Sequence, residues 1–466
     1  MRKYLFLLIL TCAGCQSLRQ DERPAGAKLS RYENVRLETL FAWEAYEKYA
    51  WGHDELKPLS QTYADWYGQS FFIQGIDAYS TLKIMGYETA ALRIENYVTT
   101  SLDFDRDIYV KTFEFNIRIL GGLLSMYSLS GNQGVLEKAE DFGKRLLPAF
   151  CSGSGLPHYW VNLKTGQVRG DTVNVAEAGT FLLEMGVLSY YTQNPVYYQT
   201  AKKAALSIYS MRSPAGLYSE NMNVETGQPT DSISHIGACI DSWYEYVYKG
   251  WLLFRDPELK VIWDNSIPAV HKYIADESDT RLWYGKVNAY SGRNVSKTVT
   301  LWDAYFPALL ALSGDLNNAG KCQNSWNSLW NKHGLEPMIY DYGKDSILDP
   351  RYYLNPEIIE SAYYLFYFTG DSTWYHMGEK YYEDIVKYCR APQGYAHIEN
   401  VIIKEQSDQM STFFIAETMK YFYLLFSDQE EINPGLCVFS TEAHPFRKAD
   451  FEAGRIWTGL GITEGL

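Results

Sequence analysis

The sequence is poor in cysteine and histidine, and the few that it has are scattered along the chain. It contains 7 cysteines and 8 histidines in 466 residues. Cys12 and Cys15 fall in an N-terminal segment that we expect to be processed, which leaves an odd number of cysteines and no Cys-x-x-Cys pair. This spread argues against a disulfide framework and against a cysteine zinc site. No His-Glu-x-x-His spacing indicates zinc either.

The sequence also lacks a basic run, a phosphate-binding loop and a long apolar stretch after its N terminus. Its net charge is −14 at neutral pH, which argues against nucleic acid as a partner. Because no glycine-rich loop of the kind that cradles phosphates is present, nothing supports a nucleotide enzyme. No stretch beyond the N-terminal segment is long and apolar enough to span a membrane.

The first residues have the pattern of a processing signal. Arg2 and Lys3 precede an apolar run over residues 4–10, and small residues lead to Cys15. We therefore predict that residues 1–15 are a lipoprotein signal peptide and that Cys15 becomes the lipidated N terminus. A plain secretory signal is the alternative.

The rest of the chain shows one composition break. Residues 16–30 have the polar, proline- and glycine-containing composition of a flexible tether, and residues 31–466 are predicted to form a single catalytic domain. Gln16 after the lipidated cysteine is compatible with a bacterial outer-membrane lipoprotein that faces the periplasm or the cell surface. We expect a monomer with a lipid anchor.

Helical segments of similar length follow one another in pairs, each an amphipathic segment followed by a more apolar one. This pattern predicts an all-α fold in which outer helices wrap inner ones, a closed (α/α)7 barrel. The predicted pairs are 34–50 with 71–85, 89–97 with 108–130, 135–148 with 173–193, 195–210 with 236–254, 256–276 with 295–313, 315–333 with 356–369, and 372–390 with 411–427.

Carboxylates recur in the predicted inner helices at intervals of roughly sixty residues. Equivalent positions on such helices converge at one end of the barrel axis, where a ring of acids is costly to desolvate unless it binds a metal cation or transfers protons to a sugar. The alternative is that each acid only complements its own helix end. The acids are Glu114, Glu177, Glu184, Asp241, Glu357, Glu360 and Glu417.

A different segment follows the seventh pair. Residues 437–445 alternate like a short strand, which predicts a C-terminal β-hairpin that plugs the barrel and brings Thr441 to its axis. The carbonyl and hydroxyl of Thr441 are hard oxygen ligands of the kind that Ca²⁺ prefers.

Ordered motifs along nearly all of the chain after the tether carry a resemblance to a known family. They occupy residues 49–56, 77–86, 113–125, 176–178, 241–246, 356–361, 413–418 and 441–445. With these motifs the chain resembles glycoside hydrolase family 47, the class I α-1,2-mannosidases. The stretch 302–307 is closer to the family's ER degradation-enhancing mannosidase-like branch.

The resemblance implies an (α/α)7 barrel that binds Ca²⁺ and releases terminal α-1,2-linked mannose with inversion. By position, Glu114 matches the general acid and Glu357 the base that activates water. Asp241 matches the third catalytic carboxylate, which in some interpretations is the acid. Thr441 matches the calcium ligand. Sugar-site matches are Arg118, Glu360, Phe413 and Glu417, to which we add Glu184 from the ring of acids.

Three positions depart from the family pattern. Asn355 stands where the family usually has an arginine before Pro-Glu, and Ser411 and Ser80 replace acidic residues. The catalytic carboxylates are all retained, so these changes bear on rate and linkage preference more than on reaction class. Loss of an arginine beside the base removes a positive charge that would act on the pKa of the base.

We therefore expect a calcium-dependent, exo-acting enzyme that acts on high-mannose N-glycans or mannan-derived oligosaccharides. The main alternative is a catalytically impaired, mannose- or glycan-binding lipoprotein of the cell surface. A second alternative is another (α/α) toroid enzyme, such as a lyase or an α-1,6-mannanase. The motif at 441–445 argues against it.

Overall fold

The computed structural model describes residues 29–462, so the predicted signal peptide and most of the predicted tether lie outside the described residues. Within 29–462, no helix combines the length and apolar character needed to cross a membrane.

Seven outer–inner helix pairs form the structure, as the sequence pattern predicts. Three inner segments are interrupted by a π-helical or 3-10 turn, and one is broken at Thr180. In chain order the pairs are α1 (Arg31–Tyr49) with α2 (Ile73–Ile84); α3 (Glu88–Thr100) with α4 (Thr112–Phe115), the π turn Asn116–Leu120 and α5 (Gly121–Ser130); α6 (Gln133–Leu146) with α7 (Val175–Gly179) and α8 (Leu182–Thr192); α9 (Val196–Ser210) with α10 (Asp241–Phe254); α11 (Pro257–Tyr273) with the 3-10 turn Leu301–Tyr305 and α12 (Phe306–Ser313); α13 (Leu316–His333) with α14 (Glu357–Thr369); and α15 (Ser372–Cys389) with the π turn Phe414–Thr418 and α16 (Met419–Phe426).

The inner helices pack side by side into a closed ring. Successive contacts run from α2 to α5, α8, α10, α12, α14 and α16, and the π turn before α16 returns to α2. Close packing uses glycine where two inner helices meet: a Cβ on Gly122 would lie 2.5 Å from the side chain of Ile76. The (α/α)7 barrel is therefore the observed fold.

Burial separates inner from outer helices. In the inner helix α14, every residue from 358 to 365 is buried, whereas the outer helix α6 buries one stripe. That stripe follows the helical period, with Val135, Ala139, Phe142 and Leu146 inside. The inner helices are therefore apolar in sequence because they lie between the barrel axis and the outer layer of helices.

Short strands, which the helix pattern does not predict, occupy the connections from outer to inner helices. They form small antiparallel sheets at the end of the barrel where the inner helices begin, whereas the connections back to outer helices are short. A final helix, α17, follows at Ala453–Leu460. The strands of the described residues are β1 (Glu55–Lys57) with β2 (Thr62–Ala64); β3 (Tyr109–Lys111), β4 (Trp160–Asn162) and β5 (Val168–Arg169); β6 (Thr172–Asn174) with β7 (Asn221–Asn223); β8 (Ile233–Ser234), β11 (Lys286–Asn288) and β12 (Asn294–Ser296); β9 (Ala275–Glu277) with β10 (Leu282–Tyr284); β13 (Thr298–Thr300), β14 (Ile339–Asp341) and β15 (Ser346–Asp349); β16 (His397–Asn400) with β17 (Glu405–Ser407); and β18 (Cys437–Phe439) with β19 (Pro445–Arg447).

The last hairpin, β18–β19, enters the ring and places its tip, residues 440–444, among the inner helices. The two strands pair with Val438 opposite Phe446, and Ala443 in the tip has a left-handed φ of 53°. Four inner segments hold the tip through four buried contacts: Tyr246 Oη with Thr441 N at 3.3 Å, Arg118 with Glu442, Lys420 Nζ with Ala443 O at 2.6 Å, and Asp77 with the His444 ring at 3.6 Å.

Candidate active site

A cavity of about 280 Å³ opens at the end of the barrel where the inner helices begin, and the hairpin tip closes its lower end. Eight carboxylates line it, and Arg118 is the one basic side chain among its lining residues. The carboxylates come from α4, α7, α10, α14, the π turn before α16 and the hairpin tip: Glu114, Glu177, Asp241, Glu245, Glu357, Glu360, Glu417 and Glu442.

The helix α14 begins at Glu357, one residue later than the predicted start at residue 356. Asn355 Nδ2 donates to Glu357 Oε1 at 3.3 Å, while Glu357 Oε2 is buried and has no partner within residues 29–462. Burial, followed by the neighbouring Glu360 and Asp241 carboxylates, raises the pKa of Glu357 well above its usual value. One oxygen of Glu357 is therefore free to accept a proton from a ligand or a water in the cavity.

Asp241 and Glu245 lie one turn apart on α10 and face the same cavity. Burial raises the pKa of Asp241 to about 7, and the Glu245 and Asp303 carboxylates act in the same direction. Behind them, Lys249 pairs with Glu245 and lies 3.8 Å from Glu360 Oε1. Asp241 therefore holds a proton far more readily than an ordinary aspartate does.

Arg118 links the cavity wall to the hairpin tip. Its Nε donates to Glu114 Oε2 at 3.0 Å, its Nη1 pairs with Glu442, and the Phe413 ring lies 5.7 Å from its guanidinium carbon. The side chain is almost fully buried, and the surrounding carboxylates raise its pKa well above the usual value despite desolvation. Arg118 therefore stays charged and fixes the orientation of Glu114.

The carboxylates at the base of the cavity crowd one another. Burial raises the pKa of Glu360 to about 7 and that of Glu442 to about 8, and it raises the pKa of Glu417 well above the usual value. Repulsion from Glu442 and Glu357 adds to the effect on Glu417. A divalent cation among these groups would offset the repulsion and favour their ionised forms.

Thr441 lies at the edge of this acidic cluster, and two of its oxygen atoms are available as metal ligands. Its N–H is bonded to Tyr246, but in the part of the chain that the structure describes its carbonyl and hydroxyl have no hydrogen-bond partner. Within residues 29–462, no three histidine, cysteine or acidic side chains are arranged to hold a metal directly. The donor set fits a hard cation that the Thr441 oxygens would hold beside the carboxylates.

The structure brings almost all of the predicted site residues together. Three catalytic candidates, the predicted calcium ligand and four of five predicted sugar-site residues line the one cavity: Glu114, Asp241, Glu357, Thr441, Arg118, Glu360, Phe413 and Glu417.

Glu184 is the exception among the predicted sugar-site residues. It is fully buried outside the cavity, where it accepts hydrogen bonds from Tyr246 Oη at 2.6 Å and Asn116 Nδ2 at 3.0 Å. Burial raises the pKa of Glu184 to about 8. Because Tyr246 also bonds Thr441, Glu184 supports the hairpin tip from behind.

Glu177, a member of the predicted ring of acids, also lines the cavity, as do Glu245 and Glu442, for which the sequence pattern predicts no role. A signal was available for Glu245, because it follows Asp241 by four residues and so shares its helix face. Glu442 directly follows the predicted calcium ligand. Burial raises the pKa of Glu177 to about 7, and the positive charge of Lys111 acts against this.

Known proteins of the same architecture carry related sequences. The sequence model of glycosyl hydrolase family 47 matches residues 38–448. A mouse endoplasmic reticulum mannosyl-oligosaccharide 1,2-alpha-mannosidase is 35% identical over 448 residues, which cover 89% of this chain and 68% of that protein. The human ER degradation-enhancing alpha-mannosidase-like protein 2 is 34% identical over 452 residues, covering 90% and 77%. These identities are too close to one another to assign the chain to either branch.

A solved structure agrees with the sequence comparison. The alpha-1,2-mannosidase from Trichoderma reesei superposes with a TM-score of 0.82 at 27% identity, covering 90% of this chain and 98% of that one. The barrel and its acidic cavity define the class of the protein, an (α/α)7 glycoside hydrolase. Within that class, the chain belongs to glycosyl hydrolase family 47.

Proposed function

We propose that the protein is a calcium-dependent, inverting, exo-acting α-1,2-mannosidase that releases terminal mannose from high-mannose N-glycans or mannan-derived oligosaccharides. The observation that carries the proposal is the convergence of Glu114, Asp241 and Glu357 on one closed-ended cavity beside Thr441. A cavity closed below by the hairpin tip suits the end of a sugar chain, which is what exo action requires.

Glu357 is suited to act as the general base. Inversion needs a carboxylate that takes a proton from water on the face of the sugar opposite the leaving group. Glu357 has a buried oxygen without a partner among the described residues, but burial raises its pKa well above the usual value, which opposes the ionised form that a base needs. The dipole of α14, at whose N terminus Glu357 stands, and a divalent cation in the acidic cluster would both favour that ionised form. Asn355 holds its other oxygen.

The general acid is Glu114 or Asp241, both on inner segments different from that of Glu357. Asp241 has the raised pKa that an acid working near neutral pH needs. Glu114 faces the same cavity with its orientation fixed by Arg118. The raised pKa of Asp241 favours it as the group that carries the proton to the leaving oxygen.

Thr441 would hold the Ca²⁺ through its carbonyl and hydroxyl. When bound, the ion orients sugar hydroxyls and the attacking water. The protein supplies the rest: Phe413 offers a ring face for the sugar, and Glu360 and Glu417 accept hydrogen bonds from hydroxyls or water. Arg118 contacts Phe413 and pairs with Glu442, and so holds this wall and the hairpin tip together.

Mannose release with and without a chelator tests the proposal. We expect hydrolysis of α-1,2-mannobiose to be lost in excess EDTA and restored by added Ca²⁺. Full activity in EDTA would contradict the calcium requirement, and the absence of mannose release from any α-1,2-linked substrate would contradict the activity. The latter result would favour the alternative of a glycan-binding protein without turnover.

We also propose that the protein is a monomeric lipoprotein of a bacterial outer membrane, with features of the degradation-enhancing mannosidase-like branch. The support is the Cys15 motif followed by Gln16 and the stretch 302–307. Mass spectrometry of the membrane-extracted protein tests the anchor, since a lipidated N-terminal Cys15 is expected. An unmodified N terminus beyond Cys15 would favour a plain secretory signal.

A further inference from the structure

A buried carboxylate that lies outside the cavity, that of Asp303, stands beside the start of α10. Asp303 is 4% exposed and belongs to the 3-10 turn Leu301–Tyr305, whose members Trp302 and Tyr305 line the cavity while Asp303 does not. Its Oδ1 accepts hydrogen bonds from Thr300 N at 3.2 Å and from Thr300 Oγ1 at 2.5 Å. These bonds cap the turn, which is the ordinary role of an acidic residue at this position.

The carboxylate of Asp303 also packs against the loop that presents Asp241 to the cavity. A Cβ on Gly237 would lie 1.8 Å from Asp303 Oδ1, so no larger residue fits between the loop and the carboxylate. Gly237 O accepts a hydrogen bond from Asp241 N at 2.9 Å, and Cys239 between them has a left-handed φ of 82°. Tyr305, in the same turn as Asp303, donates from its Oη to Asp241 O at 2.9 Å. The turn therefore contacts both ends of the segment that ends in Asp241.

Titratable groups surround Asp241 from every element that packs against it. Burial raises the pKa of Asp241 to about 7, and the carboxylates of Glu245 and Asp303 act in the same direction. Asp303 differs from the other carboxylates because it does not line the cavity. The other groups near Asp241 are Cys239 in the loop, Tyr305 in the 3-10 turn, Lys249 behind Glu245, and the cavity carboxylates Glu114, Glu177, Glu357, Glu360, Glu417 and Glu442.

The surroundings of Asp303 favour its ionised form. Burial raises the pKa of Asp303, but the hydrogen bonds from Thr300 and the basic side chains of His235 and Lys286 act against that rise. A buried carboxylate keeps its charge where donors and cations surround it. The negative charge of Asp303 is therefore present while Asp241 titrates.

Resting on the proposed function, in which Asp241 carries the proton to the leaving oxygen, we propose that Asp303 is a positioning residue for Asp241. Its carboxylate holds the loop before α10 in place, and its negative charge keeps Asp241 in the acid form near neutral pH. A neutral side chain at position 303 would let Asp241 ionise at lower pH, because a like charge nearby no longer opposes the ionised form.

The test compares the pH profile of kcat/KM for Asp303→Asn with that of wild type. Asparagine removes the charge and keeps an oxygen that can accept from Thr300. Because the acid form of Asp241 is the active one, the alkaline limb should move about one pH unit lower, with about a tenfold loss of kcat/KM above the limb and little change below it.

Asp256→Asn is the matched control. Asp256 is a fully buried aspartate that caps α11, and the length of α10 places it about 20 Å from Asp241. Its substitution also removes a buried, capping carboxylate, so it should lower Tm and leave the alkaline limb where it is.

A measurement without turnover accompanies the kinetics. The infrared C=O band of the protonated Asp241 carboxyl, identified by its loss in Asp241→Asn, should titrate at lower pH in Asp303→Asn than in wild type. If Asp303→Asn does not fold, Asp303→Ser removes the same charge with less bulk against Gly237 and takes its place.

The outcomes separate Asp303 from the activity. A limb and a C=O band that both move in the Asp303 variant, and not in Asp256→Asn, support the proposal. An unmoved limb and band in a folded variant would overturn it, and so would an equal loss of kcat/KM at every pH, which would leave Asp303 a structural role only. No mannose release by wild type would contradict the proposed function, and the infrared titration would then decide on Asp303 by itself.

Discussion

The hydroxyl of Tyr246 stands between a buried carboxylate and the hairpin tip, which makes Tyr246→Phe an informative substitution. Tyr246 Oη donates to Glu184 Oε1 at 2.6 Å and accepts from Thr441 N at 3.3 Å. Among the described residues, removing it leaves Glu184 with Asn116 as its one remaining side-chain donor and leaves the Thr441 N–H unpaired. The fully buried Glu184 and the half-buried Thr441 then each have one hydrogen bond fewer.

The expected magnitudes follow from these contacts. An unsatisfied buried group costs about 1–3 kcal/mol, so the free energy of unfolding should fall by about that amount. The tip keeps its contacts through Arg118, Lys420 and Asp77 and stays in the ring. Thr441 alone loses its anchor, so its carbonyl and hydroxyl are less well placed and the Kd for Ca²⁺ should rise about tenfold, equivalent to ~1.4 kcal/mol.

The assay is calorimetric titration of chelator-treated protein with Ca²⁺, together with thermal unfolding with and without the ion. Tyr244→Phe is the matched control, because Tyr244 is a buried tyrosine on the same helix whose hydroxyl has no hydrogen-bond partner in the described part of the chain. It should bind Ca²⁺ like wild type. Equal calcium affinities in Tyr246→Phe and Tyr244→Phe would refute the inference that Tyr246 positions Thr441.

Three further predictions concern the catalytic groups and the cation. Glu357→Gln should lower kcat by about 10²–10⁴-fold, with thermal unfolding as the check on folding; a wild-type rate would remove its assignment as base. Because burial raises the pKa of Asp241 to about 7, its acid form is present below that pH and lost above it. We expect kcat/KM to fall roughly tenfold per pH unit on the alkaline side. If the Asp241→Asn variant shows the same alkaline decrease, the decrease arises from the titration of another group. Chelation should lower Tm, because the ion binds the folded state; an unchanged Tm in EDTA would argue against a site in the cavity.

The helix pairs of the barrel are predictable from the sequence because the inner helices are buried on every side, whereas the outer helices bury one stripe. The inner helices are therefore the more apolar ones. The predicted pairs match the observed ones, but the fifth inner helix, predicted from residue 295, begins with a 3-10 turn at Leu301. Residues 294–296 instead pair as β12 with β11 of the same connection, and residues 298–300 pair as β13 with β14 of the next outer-to-inner connection. Three-residue strands are too short for a period-2 pattern, so their pairing depends on the tertiary structure.

The meeting of the acidic residues in one cavity was also predictable, from their positions along the inner helices. Among the described residues, acids near the start of five inner segments converge at one end of the ring, and the cavity is found there. Glu184 follows Glu177 by seven residues on the third inner segment, so it lies about 10 Å deeper along the axis, below the cavity floor. Position along the helix, which residue type alone does not reveal, separates a cavity residue from a supporting one.

The anomeric form of the first product tests the central claim most directly, namely that the carboxylate ring hydrolyses α-linked mannose with inversion. Proton NMR of a concentrated enzyme solution with α-1,2-mannobiose and Ca²⁺ records the released mannose before it mutarotates. Water activated by Glu357 on the face opposite the leaving group gives β-mannose first, followed by slow appearance of the α form. If α-mannose appears first, the assignment of an acid and a base on opposite faces of the sugar is contradicted.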